Sequence, residues 1–219
     1  MFVTEAKWIL SEIKKLDKNE KFPILNIGSA TLIARKRGNP SSYDLLYKAL
    51  EDEGKVIHTD IQKGEGIDIT GDITDKTFVE HLKKIDAKLI LCNNLLEHIE
   101  IPQRICSSIL EIASVGSYIL LSVPYRYPYH YDPIDTMFRP TPEQIHKMFP
   151  ETEIVSKEIV KCTRTYLDML KNDKRLAAII FFRSLLPFYK PKMWWNTVGY
   201  LPNLFKKFEV SCVLLRKRQ

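Results

Sequence analysis

The sequence predicts an α/β fold: a doubly wound, mostly parallel sheet with helices on both of its faces. Short apolar runs, typical of buried strands, alternate along the chain with longer segments whose apolar residues recur at helical spacing. The chain has 219 residues and is 45% hydrophobic, which is enough to bury the core of one large domain. Ligands of such sheets bind at the carboxyl ends of the strands, so polar residues that follow a strand are the first site candidates.

The predicted elements alternate regularly over the first two thirds of the chain. Buried strands are predicted over 22–28, 55–61, 66–73, 87–94 and 117–124. Helices are predicted over 41–54, 75–85, 101–116 and 141–149. The third of these helices carries Pro102 in its first turn and Gly116 at its end, which are common start and stop signals. Residues 1–20 are predicted to form an amphipathic helix that lies on the domain.

The cysteines and histidines are too scattered to indicate a metal site. No C-x-x-C pair occurs, and no cysteine stands beside a histidine at the spacing of metal ligands. Reduced, buried thiols in a cytoplasmic protein are therefore expected, and no bound metal is expected. The four thiols are those of Cys92, Cys106, Cys162 and Cys212.

The segment ILNIGSAT ends the first predicted strand at Gly28 and begins a candidate nucleotide loop. Ser29, Ala30 and Thr31 stand where a dinucleotide-binding loop has further glycines. A pyrophosphate must lie against bare backbone, so their absence disfavours an NAD-linked enzyme. A phosphate-free cofactor can instead be held by backbone groups and by the hydroxyls of Ser29 and Thr31.

Acidic residues end the second and third predicted strands. Asp60 can accept two hydrogen bonds from a ribose diol, which NAD and S-adenosylmethionine both possess. Asp72 can accept a hydrogen bond from an adenine amino group, and the backbone N–H of Ile73 can donate to a ring nitrogen. The segment NNLLEHI, residues 93–99, adds polar groups at the end of the fourth strand.

Five segments between about residues 20 and 150 resemble the successive motifs of class I S-adenosylmethionine-dependent methyltransferases. They are ILNIGSAT, VIHTDI, ITGDI, LILCNNLLEHI and SVPYRYPYHYDPIDTMFRPTP. The resemblance implies one methyltransferase-like domain over 1–219 and a seven-stranded sheet with an antiparallel last strand, whose last two strands would be 151–160 and 207–217. It also implies S-adenosylmethionine as cofactor. The cofactor-binding residues would be Asn26, Gly28, Ser29, Thr31, Asp60, Asp72, Ile73, Asn94 and Leu95.

The expected reaction is methyl transfer to a small-molecule or a glycan- or lipid-linked acceptor, with oxygen as the expected acceptor atom. A hydroxyl acceptor needs a base for its proton, and the candidates are His98, Glu97, His130 and Asp132. His98, His130 and Asp132 are the predicted catalytic residues. Asp135 and Arg139 are expected to form a local ion pair that fixes the same loop. Because the first motif is altered, a catalytically silent binding or assembly module of the same fold is the alternative.

Residues 162–206 form a basic and aromatic insert before the last predicted strand. From Cys162 to Phe208 there are nine Lys or Arg and only two Asp, among many large apolar residues. This composition suits a helical cap over the acceptor pocket, an interfacial element at the inner face of a membrane through residues 176–207, or a dimer interface. Nucleic acid binding is not expected, because the basic residues do not form a polar stripe. The oligomeric state stays open.

Overall fold

A computed structural model provides the structure, which describes residues 1–38, 40–130, 134–172, 174–189, 191–199 and 201–218. Seven strands form one sheet in the order β3-β2-β1-β4-β5-β7-β6. Neighbouring strands run parallel except for β7, which is antiparallel to both β5 and β6. The predicted fold class is therefore confirmed. The strands are β1 (Ile24–Ile27), β2 (Val56–Asp60), β3 (Ile69–Thr70), β4 (Leu89–Asn93), β5 (Tyr118–Arg126), β6 (Thr152–Thr165) and β7 (Lys207–Lys217).

Helices connect the strands and cover both faces of the sheet. They are α1 (Val3–Ile13), α2 (Lys18–Lys21), α3 (Leu32–Gly38), α4 (Pro40–Ser42), α5 (Ala49–Glu53), α6 (Lys76–Lys83), α7 (Pro102–Ile112), α8 (Pro142–Lys147), α9 (Tyr166–Asn172), α10 (Lys174–Ser184) and α11 (Pro191–Val198). A π-helical stretch, Tyr43–Lys48, joins α4 to α5, and two 3-10 turns span Leu96–His98 and Leu201–Asn203. The sequence did not predict α3, which follows the candidate nucleotide loop directly.

The core has two layers because side chains of a strand point alternately to opposite faces. In β4, Leu89 and Leu91 pack on one side with α1 and the π-helical stretch. Ile90 and Cys92 pack on the other side with α6 and α7. The strand is buried along its whole length, which explains its unbroken apolar sequence.

A third apolar cluster anchors the insert to the far edge of the sheet. Helices α9 and α10 contribute Tyr166 and Ile180, which pack against β6 and β7. Phe2 and Tyr127 reach the same cluster, so the insert is in contact with the start of α1 and with the loop after β5. No helix in the described ranges is both long and apolar enough to cross a membrane. All four cysteines are free and buried, as the sequence predicted.

Candidate functional site

The loop after β1 turns sharply at Gly28 and packs against the loop after β4. Gly28 has a φ of +63°, in the left-handed region that favours glycine. A Cβ atom at this position would lie 2.8 Å from both methyl carbons of Leu95. Glycine is therefore favoured by the backbone conformation and by the close approach of Leu95. Because β1 and β4 are paired, two of the predicted cofactor-binding residues lie side by side.

Asp60 ties the ends of β1 and β2 together. Its Oδ2 atom accepts a hydrogen bond from the backbone N–H of Ala30 at 2.8 Å, and its Oδ1 accepts from that of Gln62 at 2.9 Å. Each carboxylate oxygen has a second lone pair, so Asp60 keeps acceptor capacity for a ligand. Its position at the end of β2, beside the loop that contains Gly28, is the one that the sequence predicted for a ribose-binding group.

Ser29 and Thr31 use their hydroxyls within the loop itself. Ser29 is buried, and its Oγ donates to the carbonyl of Ala30 at 3.3 Å. Thr31 Oγ1 accepts from the backbone N–H of Ala34 at 3.3 Å, at the start of α3. Ala30 has a φ of +54°, an uncommon conformation for a residue with a side chain. The two hydroxyls would have to exchange these local partners in order to bind a ligand.

Arg35, which the sequence analysis missed, crosses the loops after β1 and β2. Its guanidinium donates to the carbonyl of Ala30 at 2.9 Å and to that of Gly66 at 3.1 Å. The same group lies 5.9 Å from the centre of the Tyr47 ring. Arg35 therefore holds the two loops together on one side of the candidate cofactor site. The sequence indicates this role only by the position of Arg35, a basic residue one turn into the helix that follows the first loop.

Asp72 and Ile73 lie at the end of β3, next to the end of β2. The backbone N–H of Gly71 donates to the carbonyl of Asp60 at 3.0 Å. Asp72 is exposed, and its Oδ1 accepts from both the N–H and the hydroxyl of Thr74, each at 2.8 Å. Ile73 is partly buried against the core. The ends of β1, β2 and β3 thus form one continuous edge that carries Gly28, Asp60 and Asp72.

Asn26 lies below this edge and belongs to a buried polar pair. Its side chain is 1% exposed, and its Nδ2 is 3.1 Å from Nδ1 of His58, its neighbour on β2. Burial, with a smaller effect from the charge of Arg35, lowers the pKa of His58. His58 Nε2 in turn is 3.1 Å from Glu51 Oε1. In this arrangement the Asn26 amide supports β1 and β2 from inside the fold.

Asn94 is held by a buried carboxylate on α1. Asn94 has a φ of +51°, and its Nδ2 donates to Glu5 Oε1 at 2.7 Å. The same oxygen accepts from the hydroxyl of Ser122 at 2.7 Å, and the other Glu5 oxygen accepts from the N–H of Phe2 at 2.9 Å. Glu5 is completely buried. The sequence did not predict this role of Glu5, which lies on the buried side of the amphipathic helix α1.

The loop after β5 brings two of the predicted catalytic residues together. The rings of His98 and His130 pack edge to face, with 5.2 Å between their centres. His98 Nδ1 is 2.5 Å from the carbonyl oxygen of Ile134, which can only accept, so we assign the ring proton to Nδ1. Asp132, the third predicted catalytic residue, lies outside the described residues.

Glu97 is a buried carboxyl group beside these two rings. It is 1% exposed, and burial raises its pKa to about 8. Its Oε1 lies 3.8 Å from His98 Nε2, and its Oε2 has no hydrogen-bond partner among the described residues. The backbone N–H and the hydroxyl of Thr136 donate to the carbonyl of Glu97 at 2.9 and 3.0 Å. Glu97 is therefore fixed in place while its carboxyl group is neutral at pH 7.

The predicted ion pair between Asp135 and Arg139 is confirmed. Arg139 donates to both Asp135 oxygens, at 3.1 and 2.6 Å. Burial alone would raise the pKa of Asp135, but these bonds and two backbone N–H groups hold it below its usual value. His130 Nδ1 lies 2.9 Å from Asp135 Oδ2, although outside hydrogen-bond geometry, and burial lowers the pKa of His130. The loop after β5 is thus built around one buried carboxylate.

Comparison with known proteins gives the fold of the chain. No protein-family model and no curated protein matches the sequence. Among solved structures, a SAM-dependent methyltransferase from Anabaena variabilis ATCC 29413 is 12% identical, with 100% of this chain and 86% of that one covered and a TM-score of 0.56. Coclaurine N-methyltransferase, solved with N-methylheliamine and SAH, is 15% identical, with 97% and 70% covered and a TM-score of 0.54.

The same fold also occurs in a protein with a different reaction. The cyclase SpnF is 16% identical to this chain, with 95% of this chain and 81% of SpnF covered and a TM-score of 0.54. The chain therefore has the fold of the class I S-adenosylmethionine-dependent methyltransferases. Likeness at this level of identity establishes the fold, and the reaction has to be argued from the site.

Proposed function

We propose that the protein is an S-adenosylmethionine-dependent methyltransferase, and that its acceptor is a small molecule or a glycan- or lipid-linked molecule methylated at oxygen. One observation carries the proposal: Gly28, Asp60, Asp72 and Leu95 follow the carboxyl ends of four neighbouring strands, in the order β3-β2-β1-β4, at the edge where α/β sheets bind ligands. The shared fold supports the cofactor, because coclaurine N-methyltransferase was solved with SAH.

The residues present fit S-adenosylmethionine better than they fit a dinucleotide. Gly28 leaves the backbone at the end of β1 without a side chain, and Leu95 packs directly against it. Asp60 and Asp72 keep acceptor capacity for a ribose diol and an adenine amino group. The loop after β1 has Ala30 in place of a further glycine, so bare backbone for a pyrophosphate is lacking.

When bound, S-adenosylmethionine supplies an electrophilic methyl group on a sulfonium, and the protein has to supply alignment and a proton acceptor. An oxygen acceptor must lose a proton during transfer. His98 carries its own proton on Nδ1, so Nε2 has a lone pair for this role. His130 is kept neutral by its lowered pKa and is the second candidate base. Burial raises the pKa of Glu97 to about 8, which favours its protonated form at pH 7 and disfavours it as the base.

Calorimetric titration with S-adenosylhomocysteine, the demethylated product, tests the cofactor assignment. The wild-type protein should bind one equivalent. Asp60→Asn removes one charged acceptor and should weaken binding by roughly tenfold or more. Asp52→Asn is the matched control, since Asp52 is an exposed residue of α5, and its affinity should equal that of the wild type. An Asp60→Asn protein with unchanged affinity would show that the ribose site lies elsewhere.

A catalytically silent binding module is the second candidate function, and Arg35 is the observation that favours it. Its guanidinium donates hydrogen bonds to the carbonyl oxygens of Ala30 and Gly66. The hydroxyls of Ser29 and Thr31 form hydrogen bonds within the loop and its following helix. A loop stabilised in this way could remain closed to cofactor. The titration separates the two candidates: no heat and no thermal shift at millimolar ligand would favour the silent module. Tighter binding by Arg35→Ala than by wild type would identify Arg35 as the obstacle.

We further propose that the insert binds the surface of an anionic membrane. The apolar side chains at and after the end of α10 are exposed: Phe181 by 61%, Phe182 by 64%, Leu185 by 61% and Phe188 by 95%. A monomeric protein rarely exposes so many large apolar groups together. The excess of basic residues in the same segment complements anionic headgroups. A lipid-linked acceptor would then be presented beside Tyr127, which contacts both the insert and His130.

Co-sedimentation with vesicles tests the membrane proposal. The wild-type protein should sediment with phosphatidylglycerol vesicles and not with phosphatidylcholine vesicles. The double variant Phe181→Ser/Phe182→Ser should stay in solution, whereas Val115→Ser, which changes an exposed apolar residue outside the insert, should behave as wild type. Equal sedimentation of wild type and double variant would contradict the proposal. A concentration-dependent dimer that the double variant abolishes would instead assign the surface to a second copy of the chain.

A further inference from the structure

Three side chains from two separate loops offer metal ligands at one place. Glu97 and His98 follow β4, and His130 follows β5, 32 residues later in the chain. One carboxylate oxygen and one ring nitrogen from each histidine lie within 4.8 Å of one another. We propose that Glu97, His98 and His130 bind one divalent first-row transition metal ion.

The polar groups around the cluster orient the ligands as metal sites require. Metal-bound histidines usually donate their second ring N–H to a carbonyl or a carboxylate, which fixes the tautomer. His98 does so through Nδ1 to the carbonyl of Ile134, which leaves the lone pair of Nε2 on the side of Glu97. The backbone of Glu97 is held by Thr136, and that of His130 donates to Asp135 Oδ2 at 3.0 Å.

The unpartnered carboxylate oxygen is an independent sign of a missing ligand. Glu97 Oε2 is buried and has no hydrogen-bond partner in the part of the chain that the structure describes. Leaving such a group unsatisfied costs about 1–3 kcal/mol, and more if it is charged. A metal cation that displaces the Glu97 proton to solvent would be bound by this carboxylate and would remove that cost. The adjacent Arg139 does not compete, because it donates to both oxygens of Asp135.

The ligand set selects the kind of metal. Two imidazoles and one carboxylate suit zinc, iron, cobalt or nickel, whereas magnesium and calcium prefer oxygen ligands. At metal–ligand distances of about 2.1 Å, tetrahedral ligands lie about 3.4 Å apart, so the three atoms must approach one another by at most about 1.4 Å. Three protein ligands leave a fourth position for a ligand from outside. If the proposed function holds, that position would bind the acceptor oxygen and lower its pKa, and the two imidazoles would then act as ligands and not as bases.

Calorimetric titration of the chelator-treated protein with Zn²⁺ tests the site without cofactor or acceptor. One equivalent should bind, and Co²⁺ at the same site should give visible absorption bands. His98→Ala and His130→Ala should each lose this binding, and Glu97→Gln should weaken it at least tenfold. His81→Ala is the control, because His81 is an exposed residue of α6 and its removal should change nothing. Absence of Zn²⁺ binding by wild type, binding that survives in His98→Ala, or preferential binding of Mg²⁺ would each overturn the proposal.

A second measurement on the wild-type protein avoids dependence on variants that fail to fold. In long-range ¹H–¹⁵N spectra of the imidazoles, one equivalent of Zn²⁺ should shift the ring nitrogens of His98 and His130 and leave those of His81 unchanged. Shifts confined to other histidines would overturn the assignment. Titration with S-adenosylhomocysteine is independent of this result, so failure of the metal site and failure of the methyltransferase proposal can be told apart.

Discussion

Gly28→Ala probes the contact that joins the loops after β1 and β4. The substitution places a side chain in the left-handed region, at φ +63°, which costs about 1–2 kcal/mol. It also places a Cβ atom 2.8 Å from both methyl carbons of Leu95, well inside the usual contact distance of about 3.5–4.0 Å. Leu95 must leave its rotamer, at a further cost of about 0.5–1.5 kcal/mol. We expect a total loss of about 1.5–3.5 kcal/mol in the free energy of unfolding.

Gly116→Ala separates the two contributions. Gly116 has a φ of +85°, but a Cβ atom there would meet nothing within 4 Å. This variant therefore carries the backbone strain without the contact, and we expect a loss of about 1–2 kcal/mol. Urea denaturation at constant pH measures both losses, provided that the m-values are unchanged. The additional loss of unfolding free energy in Gly28→Ala, compared with Gly116→Ala, measures the cost of displacing Leu95.

A double-mutant cycle tests the cause of that excess. In a Leu95→Ala background the Cβ atom at position 28 has room, so Gly28→Ala should cost no more there than Gly116→Ala does. Binding of S-adenosylhomocysteine gives a second readout, since the displaced Leu95 should weaken it in Gly28→Ala and not in Gly116→Ala. If Gly28→Ala is no more destabilising than Gly116→Ala, or if Leu95→Ala fails to relieve it, the packing argument is refuted.

Three further outcomes are expected. Arg139→Leu should lower the free energy of unfolding by about 3–5 kcal/mol, because it leaves the buried carboxylate of Asp135 unpaired, whereas the exposed Arg104→Leu should change little; urea denaturation compares them. The difference in unfolding free energy between Arg139→Leu and the wild type should shrink as the pH falls through the lowered pKa of Asp135, because a protonated Asp135 carries no charge for Arg139 to balance. Glu5→Ala should cost about 1–3 kcal/mol in the same assay by removing the acceptor of the Asn94 amide, and an unchanged midpoint would refute this. The four cysteines should react with Ellman's reagent at pH 8 only after unfolding in urea, since burial raises their pKa; rapid labelling of the native protein would contradict this.

The sheet could be predicted from the sequence because its buried strands are apolar along their whole length and the helices between them carry clear end signals. The same apolar pattern predicts where each strand ends. Gly28, Asp60 and Asp72 were identified because they stand at those ends. Their adjacency required only the rule that parallel strands end at one edge. Helix α3 was missed because its sequence, LIARKRG, is short and lacks an apolar periodicity, although Thr31 caps its first turn.

The interactions that join distant segments could not be predicted. Nothing in a single sequence indicates that Glu5 accepts from Asn94, or that Arg35 reaches the carbonyl of Gly66, because each contact depends on how helices dock onto the sheet. The histidines were judged too scattered for a metal site. Spacing is informative when ligands share one helix or turn, but His98 and His130 come from two loops that the sheet brings together.

The carboxylate of Glu5 has a consequence for how the chain folds during synthesis. Its partner Ser122 lies 117 residues later, so α1 leaves the ribosome long before its buried acceptor can be satisfied. Until β5, β6 and β7 are made, α1 can pack only on earlier segments such as the π-helical stretch and β4, so part of its buried side stays exposed on the nascent chain. Contacts of such long range slow folding and prolong exposure to aggregation. We expect α1 to dock late, as the step that completes the ends of β4 and β5.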